Sequence, residues 1–354
     1  MIFALNENLY MNRHKKLFFS TLKPFLPIVS LNRMGKILQN QMVLPLYHAV
    51  SDIVIPHLKH LYTIRSVKEF IADIDVLLDI GRAVTLKEII DYTKGNTEFK
   101  TPVFHLTFDD GLREFHDFIA PVLLDKGVPA TCFLNSAFID NKELFYRFKS
   151  SLLIERLHSS VQGSGEWKGY HNWHMKNNLK QNYYKDVLLS VKNDERPILD
   201  ELANEIGLNF SEYLEQERPY MTSDQIKSLI KKGFTFGAHS IDHPDYHLVS
   251  EDEGYRQTET SIKQICKAFN LGYRVFSFPY TDDGVPRSYF NRLEQDNLVD
   301  LSFGCAGFKR DSVSTNIQRI PVEMYQDSMN NILKKEIFYF KFLTLLGKNT
   351  IFHN

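Results

Sequence analysis

The sequence predicts an α/β fold, a (β/α) barrel of about seven parallel strands that carries a helical insertion. Short β-rich runs alternate with amphipathic stretches that open at helix caps, and this alternation is typical of parallel βα units. Residues 141–220 break the rhythm with a polar sequence of mostly helical pattern. We therefore divide the chain into a basic N-terminal extension (1–40), a barrel (41–330) that contains the insertion, and a basic amphipathic C-terminal helix (331–354).

The predicted strands are apolar runs rich in β-branched and aromatic residues. In chain order they cover residues 42–47, 103–108, 130–134, 234–238 and 275–278, with further candidates at 298–303 and 316–320. Capping boxes, in which a Ser or Thr and a Glu three residues later satisfy each other's backbone donors, predict helices after Ser66 and Thr85. Further helices are predicted at 112–126, after Thr222 and from Ser250 to Phe269.

The charge of the chain is balanced in total and uneven along its length. Lys and Arg number 42 and Asp and Glu number 43, a net charge of −1, which argues against a nucleic-acid partner because such domains are normally basic. Residues 1–40 carry +5 and residues 331–354 carry +3, so the body between them carries −9. The acidic body suits a bound cation better than a phosphate-rich ligand, and the basic ends could hold the protein peripherally on a membrane.

No run approaches the roughly 18 uncharged apolar residues that a transmembrane helix needs. An N-terminal apolar run is interrupted by Lys23, Pro24 and Pro27 and is followed by no small-residue cleavage site, which is atypical of an export signal. We therefore expect a cytoplasmic protein, peripheral at the inner membrane.

Two adjacent carboxylates, Asp109 and Asp110, follow the strand predicted at 103–108 and precede a glycine. Like charges side by side at the end of an apolar strand are costly unless a cation or a proton offsets them. A solvated turn would explain the motif equally well, so on its own it leaves both interpretations open.

Two histidines four residues apart, His239 and His243, follow the strand predicted at 234–238. Two imidazoles and one carboxylate make the open three-ligand site that catalytic zinc uses. Chemistry in β/α barrels gathers at the carboxyl ends of the strands, so these histidines and the Asp pair are expected to meet there. A third strand, 275–278, ends in Pro279 and Tyr280, where the proline fixes the backbone and the Tyr280 N–H could face a developing oxyanion.

These three motifs resemble, in order and spacing, those of the polysaccharide deacetylase family (carbohydrate esterase family four). The segment Tyr47-His48-Ala49-Val50 also resembles the family's opening strand. The resemblance covers roughly residues 42–140 and 220–325 and implies a distorted β/α barrel that removes N-acetyl groups from amino sugars with a divalent metal, expected to be Zn²⁺. By position, Asp109 resembles the general base, Tyr280 resembles the residue whose backbone amide faces the oxyanion, and the metal ligands correspond to Asp110, His239 and His243.

The chain also departs from the family pattern. Family members carry an Arg two residues before the Pro of the third motif, where this chain has Ser277. The Leu-x-His segment whose His protonates the leaving amine is absent, since the last strand continues through Arg319 to Glu323 without a histidine. Either Asp109 serves as both base and acid or another side chain supplies the proton, and Arg319 is a candidate for substrate binding together with Pro279.

The predicted function is metal-dependent hydrolysis of a non-peptide C–N bond, namely N-deacetylation of an acetylated amino sugar in a poly- or oligosaccharide. Water activated by the metal would attack the amide carbonyl while Asp109 removes its proton. The same barrel hydrolysing a different amide and a non-catalytic carbohydrate-binding barrel stay open as alternatives. A binding module would have no need of Asp109, which argues against the second alternative.

Overall fold

The computed structural model describes residues 13–28, 30–31, 42–181 and 183–354, so the predicted extension 1–40 lies partly outside the described residues. The described helices are α1 Arg13–Leu22, α2 Val67–Ile80, α3 Leu86–Thr93, α4 Ala120–Lys126, α5 Tyr146–Ser159, α6 Gly165–Lys176, α7 Tyr184–Ser190, α8 Pro197–Glu205, α9 Phe210–Glu217, α10 Ser223–Lys231, α11 Glu251–Phe269, α12 Arg287–Gln295 and α13 Met329–Leu345. The strands are β1 Met42–Val43, β2 Pro45–Tyr47, β3 Arg82–Ala83, β4 Val103–Phe104, β5 Leu106–Phe108, β6 Ala130–Leu134, β7 Thr235–Ala238, β8 Val275–Ser277, β9 Leu301–Gly304, β10 Arg310–Asp311, β11 Asn316–Gln318, β12 Ile320–Pro321 and β13 Thr350–Ile351.

A parallel sheet of eight strands forms the barrel, in the order β11-β9-β8-β7-β6-β5-β2-β12. Its two outer strands, β11 and β12, are consecutive in the chain and are separated only by Arg319. One length of chain thus pairs first with β9 and then with β2, and we call this segment, 316–321, the seam. Because the seam counts as one strand, the sheet closes with seven, and the prediction of a parallel (β/α) barrel is confirmed.

The seam is held on both sides by backbone hydrogen bonds at the change of partner. The Arg319 N–H donates to the Gly304 carbonyl at 3.2 Å, and the next N–H, that of Ile320, donates to the Leu44 carbonyl at 2.8 Å. Two successive residues therefore tie the last strand to the two edges of the sheet, and the Arg319 side chain enters the barrel between them.

Two of the predicted strands are interrupted. The strand at 42–47 is divided into β1 and β2, and the strand at 103–108 is divided at His105 into β4 and β5. The first halves form a separate sheet of order β1-β4-β3, while the second halves continue into the barrel. His105 is buried, with ring nitrogens 2.7 Å from the Val84 carbonyl and 2.8 Å from Thr131 Oγ1, and burial lowers its pKa to about 4. It is a neutral core residue.

The predicted helix starts agree best with the structure where the sequence contains a capping motif. Reciprocal capping boxes are present at Ser66, Thr85 and Thr222. The segment predicted as a helix at 112–126 is helical from residue 113 to Lys126, with a π-helical turn over Phe115–Ile119 after which the Ala120 N–H bonds the Phe115 carbonyl. Pro121 follows directly and has no N–H to donate, which disfavours regular α-helical bonding at this turn.

The insertion is helical, as predicted, and has a hydrophobic core of its own. Helices α5 to α9 surround buried side chains such as Leu153 and Trp173. This cluster continues to the barrel through stacked aromatic rings, with Phe138 centred 5.1 Å from Tyr220 and 5.9 Å from Phe145. The insertion is thereby fixed beside the strand ends that carry the candidate site.

Candidate active site

Asp110, His239 and His243 converge just beyond the carboxyl ends of β5 and β7, as the sequence predicted. Each is buried and offers one ligand atom, and the three atoms lie within 4.8 Å of one another. The Asp110 Oδ1 atom is 3.4 Å from His243 Nε2 and 3.7 Å from His239 Nε2. Two neutral imidazoles and a carboxylate at this spacing are the donor set of an open zinc site.

The Asp110 carboxylate has the environment of a metal ligand. Both of its oxygens are buried and have no hydrogen-bond partner among the described residues. Burial raises the pKa of this carboxyl to about 7, with the negative charge of Asp109 adding to the effect. A buried anion without donors is costly, and a divalent cation would remove that cost. The residues present therefore fit a metal ion.

A backbone carbonyl fixes the orientation of His239, and both histidine rings are uncharged. His239 Nδ1 lies 2.8 Å from the Ser277 carbonyl, which places the ring proton on Nδ1 and leaves the Nε2 lone pair facing Asp110. Burial lowers the pKa of His239 to about 4 and that of His243 well below its usual value, so both rings are neutral. Neutral imidazole is the form that binds metal.

The backbone of the site is strained at the strand ends. Asp110, His243 and Tyr280 have φ values of 70°, 62° and 57°, in the left-handed region that L-residues seldom adopt. Such conformations persist where surrounding packing enforces them, and they concentrate at functional sites. Gly111, with φ 66°, continues the bend, and a Cβ there would meet the Leu134 side chain at 2.7 Å.

Asp109 is buried beside the ligands and is paired with Arg319. The guanidinium donates to both carboxylate oxygens at 2.8 and 2.9 Å, and the Ser277 hydroxyl donates to Oδ2 at 3.1 Å. Burial opposes ionisation, but the Arg319 charge outweighs it and, with His239, holds the pKa of Asp109 well below its usual range. Asp109 is therefore a fixed carboxylate.

Arg319 lies behind Asp109 and away from solvent. Its Nε donates to the Gly304 carbonyl at 3.0 Å, and its Nη2 donates to the Ser277 hydroxyl at 2.7 Å. The side chain is fully buried and these contacts are all with protein groups, and the substrate contact expected for Arg319 stays a prediction. Asp109 is thus contacted by side chains from two different strands, Ser277 of β8 and Arg319 of the seam.

Tyr280 links the site to the insertion. Its ring centroid is 4.6 Å from that of His243, and its hydroxyl is 2.9 Å from the Tyr146 hydroxyl of α5. Phe145, just before α5, packs on the other side of His243 at 4.5 Å. Among the hydrogen bonds of the described residues, none is donated by the Tyr280 N–H. Pro279, predicted to contact substrate, directly precedes Tyr280 and is buried.

His48 and Glu323 form a second charged pair at the site, one that the motifs did not identify as a pair. His48 Nδ1 lies 2.5 Å from Glu323 Oε2, and Glu323 Oε1 accepts the N–H groups of His48 and Ala49 at 2.8 and 3.1 Å. Tyr62 stacks on the imidazole at 4.1 Å. Burial opposes protonation, but the Glu323 charge raises the pKa of His48 to about 9, so the ring is cationic at neutral pH.

Comparison with known proteins decides the family. A sequence model described as polysaccharide deacetylase matches residues 96–296, more than half of the chain. The chain belongs to the polysaccharide deacetylase family. The prediction of a hydrolase of this family, acting on carbon–nitrogen bonds of a carbohydrate, is thereby confirmed. No curated protein matches the deacetylase in sequence.

Two solved structures share the fold of this deacetylase. IcaB from Ammonifex degensii superposes with a TM-score of 0.54 at 17% identity, covering 84% of this chain and 97% of that one. The deacetylase PplD of Streptococcus pyogenes, solved in complex with acetate, gives a TM-score of 0.52 at 15% identity, covering 83% of this chain and 97% of that one. At such identities the likeness shows the fold.

Asp242 and one further acidic cluster of the deacetylase have structural partners. Asp242, between the two histidines, pairs with Arg196 of the insertion at 2.7 Å and accepts from Gln257 at 2.8 Å. A second group within ligand distance is made of two carboxylates and a histidine, Asp282, Asp311 and His353. Side-chain amides of Asn316 and Gln318 already donate to its carboxylates, so this cluster is explained by its hydrogen bonds.

Proposed function

We propose that this deacetylase removes N-acetyl groups from an amino sugar of a poly- or oligosaccharide, using a divalent metal, Zn²⁺, held by Asp110, His239 and His243. The observation that carries the proposal is the buried Asp110 carboxylate, which has no hydrogen-bond partner among the described residues and lies 3.4 Å from His243 Nε2. A silent carbohydrate-binding barrel would not need the ionised Asp109 beside it.

The chemistry is divided among the residues of the site. When bound, the metal polarises the amide carbonyl and makes water a stronger acid. Asp109, held ionised by Arg319, accepts the proton of the attacking water. The backbone N–H of Tyr280, a residue with a positive φ, stabilises the oxyanion that develops on the carbonyl oxygen.

His48 is the side chain that we assign to protonation of the leaving amine. The Arg319 contact that keeps Asp109 ionised also makes Asp109 a poor store for a proton, which disfavours the use of one residue as both base and acid. The Glu323 carboxylate contacts Nδ1 of His48 and stabilises the protonated ring. Nε2 is then the nitrogen that can donate a proton to the substrate. The pair thereby takes the place of the histidine that the last strand lacks.

The test of the proposed function is acetate release from N-acetylglucosamine oligomers, measured together with bound metal. We expect chelation to abolish turnover and Zn²⁺ to restore it, and Asp110→Asn to lose both metal and activity. The matched control is Asp242→Asn in the loop between the two histidines, which removes a carboxylate that holds Arg196 and should keep both. Full metal content with full turnover in Asp110→Asn would overturn the assignment, and release of another acyl group in place of acetate would favour a different amide.

The role of His48 predicts a specific pH dependence. His48→Gln is expected to lower kcat by about a hundredfold, the usual size of a general-acid contribution. A histidine with a raised pKa is protonated below that pKa and loses its proton as the pH rises through it, so turnover should fall as the pH rises through about 9. In Glu323→Gln this fall should move to lower pH, because the variant removes the Glu323 charge that raises the pKa of His48. The other groups that face the ring, Asp109, Asp110 and Tyr62, are unchanged. An unshifted pH profile in Glu323→Gln would exclude His48 as the acid.

A further inference from the structure

The two terminal helices, α1 and α13, pack against each other and leave apolar side chains in solvent. Phe18 stacks on Phe342 with ring centroids 5.0 Å apart. On the inner side of the contact, Lys15 and Glu336 form a buried ion pair at 2.6 Å. On the outer side, the exposed fractions of Leu17, Phe342 and Leu345 are 65%, 42% and 86%. Leu345 and Leu346 follow Phe342 by three and four residues, so they extend its side of the helix.

The surface around these side chains is basic. Lys341 and Lys348 are exposed beside the leucines. Lys16 and Lys23 line a cavity of 570 Å³ on the other flank of α1, where Lys335 pairs with Asp327 at 2.7 Å. Within the described ranges 13–28 and 329–354 the one acidic residue is Glu336, which is buried. The two helices thus present apolar and basic groups with no exposed carboxylate.

We propose that this face, the terminal patch, docks on an anionic lipid membrane; it consists of Leu17, Phe342, Leu345 and Leu346 with Lys16, Lys23, Lys341 and Lys348. Leucine and phenylalanine side chains with flanking lysines are the pattern of helices that lie in the interface of a bilayer. The lysines add attraction to anionic headgroups. No described helix is both long and apolar enough to cross a bilayer.

Charge decides between a membrane and a second copy of the chain as the occupant. In a symmetric dimer the same patch would face itself, so the exposed Lys23, Lys341 and Lys348 of the two copies would be brought close to one another, which is unfavourable. An anionic bilayer offers the opposite charge and an apolar layer beneath it. The docking goes beyond the proposed deacetylation and does not depend on it.

The experiment is co-sedimentation of the full chain with phosphatidylcholine vesicles, with and without phosphatidylglycerol. We expect binding only to the anionic vesicles, weakened by salt, and reduced at least about tenfold in the double variant Leu17→Glu with Leu345→Glu. The control is the double variant Val161→Glu with Met175→Glu in the insertion. It also places charges at exposed apolar side chains, whose exposed fractions are 79% and 81%, and it should bind as the wild type does. Both double variants should release acetate from soluble oligomers at the wild-type rate, which keeps this test separate from that of the proposed function.

Three results would overturn the docking. The wild type could fail to bind anionic vesicles, or the control variant could lose binding as fully as the patch variant. The third result is a patch variant that still binds vesicles but changes from dimer to monomer in size measurements, which would assign the patch to a second copy.

Discussion

Replacing Asp109 with asparagine is expected to lower kcat for acetate release by about a thousandfold, within the range of a general base. The asparagine amide keeps the shape of the carboxylate but cannot accept the proton of the attacking water. The ligands Asp110, His239 and His243 are untouched, so metal content should stay near that of the wild type. Steady-state kinetics together with metal analysis separate the two effects, and we expect KM to change far less than kcat.

A matched control for this substitution is Ser277→Ala. Ser277 donates one hydrogen bond to the same carboxylate at 3.1 Å, while the bidentate contact of Arg319 remains. Its loss should lower kcat about tenfold, the lower end of what one hydrogen bond to a charged group contributes. Near-normal turnover in a metal-loaded Asp109→Asn protein would refute the base assignment, whatever the result for Ser277→Ala.

Replacing Arg319 with methionine is expected to affect stability and activity together. Removing one member of a buried ion pair leaves the other charge uncompensated, at a cost of about 3–5 kcal/mol. The depressed pKa of Asp109 contributes stability that is present above the unfolded pKa of the carboxyl and lost as the pH falls through the folded one. Without Arg319 that contribution disappears, so urea unfolding should show the largest loss of free energy near neutral pH.

The activity of Arg319→Met should fall for the same reason. With the cation gone, burial raises the pKa of Asp109, and more of the base is protonated and unable to act. We expect turnover to drop about a hundredfold at neutral pH and to recover in part as the pH rises. Arg319→Lys keeps the charge but not the two-pronged contact, and it should lie between the wild type and the methionine variant.

The double variant Asp109→Asn with Arg319→Met distinguishes an ion pair from general damage. Removing both charges should restore part of the stability that Arg319→Met loses, while activity stays as low as in Asp109→Asn. If the loss of unfolding free energy in the double variant equals the sum of the losses in the two single variants, then the Asp109–Arg319 ion pair does not stabilise the barrel.

The sequence predicted those parts of the site that lie within one strand and its following loop. Asp109 and Asp110, and His239 and His243, each stand directly after an apolar run, so the rule that strand ends meet in a barrel was enough to bring them together. The capping residues Ser66 and Thr85 were also readable, because a cap is satisfied by a group three residues away.

The parts that could not be predicted depend on contacts between distant strands. Arg319 lies 210 residues from Asp109 in the sequence. Its side chain points into the barrel because the seam changes its pairing partner from β9 to β2 at this residue, and no local sequence pattern predicts that change. Glu323 lies 275 residues from His48, and nothing in the sequence near either residue indicates the other. The packing of Phe145 on His243 depends on where the insertion folds, and helical periodicity cannot reveal that.

The seam has a consequence for how this protein acquires activity. Arg319 reaches Asp109 only when the last strand has joined the sheet at Gly304 on one side and at Leu44 on the other. A growing chain that ends before residue 319 can already contain the motifs of the metal site, yet it has no guanidinium to keep its base charged. Full hydrolytic activity during synthesis or refolding therefore requires that the last strand has joined both edges of the sheet.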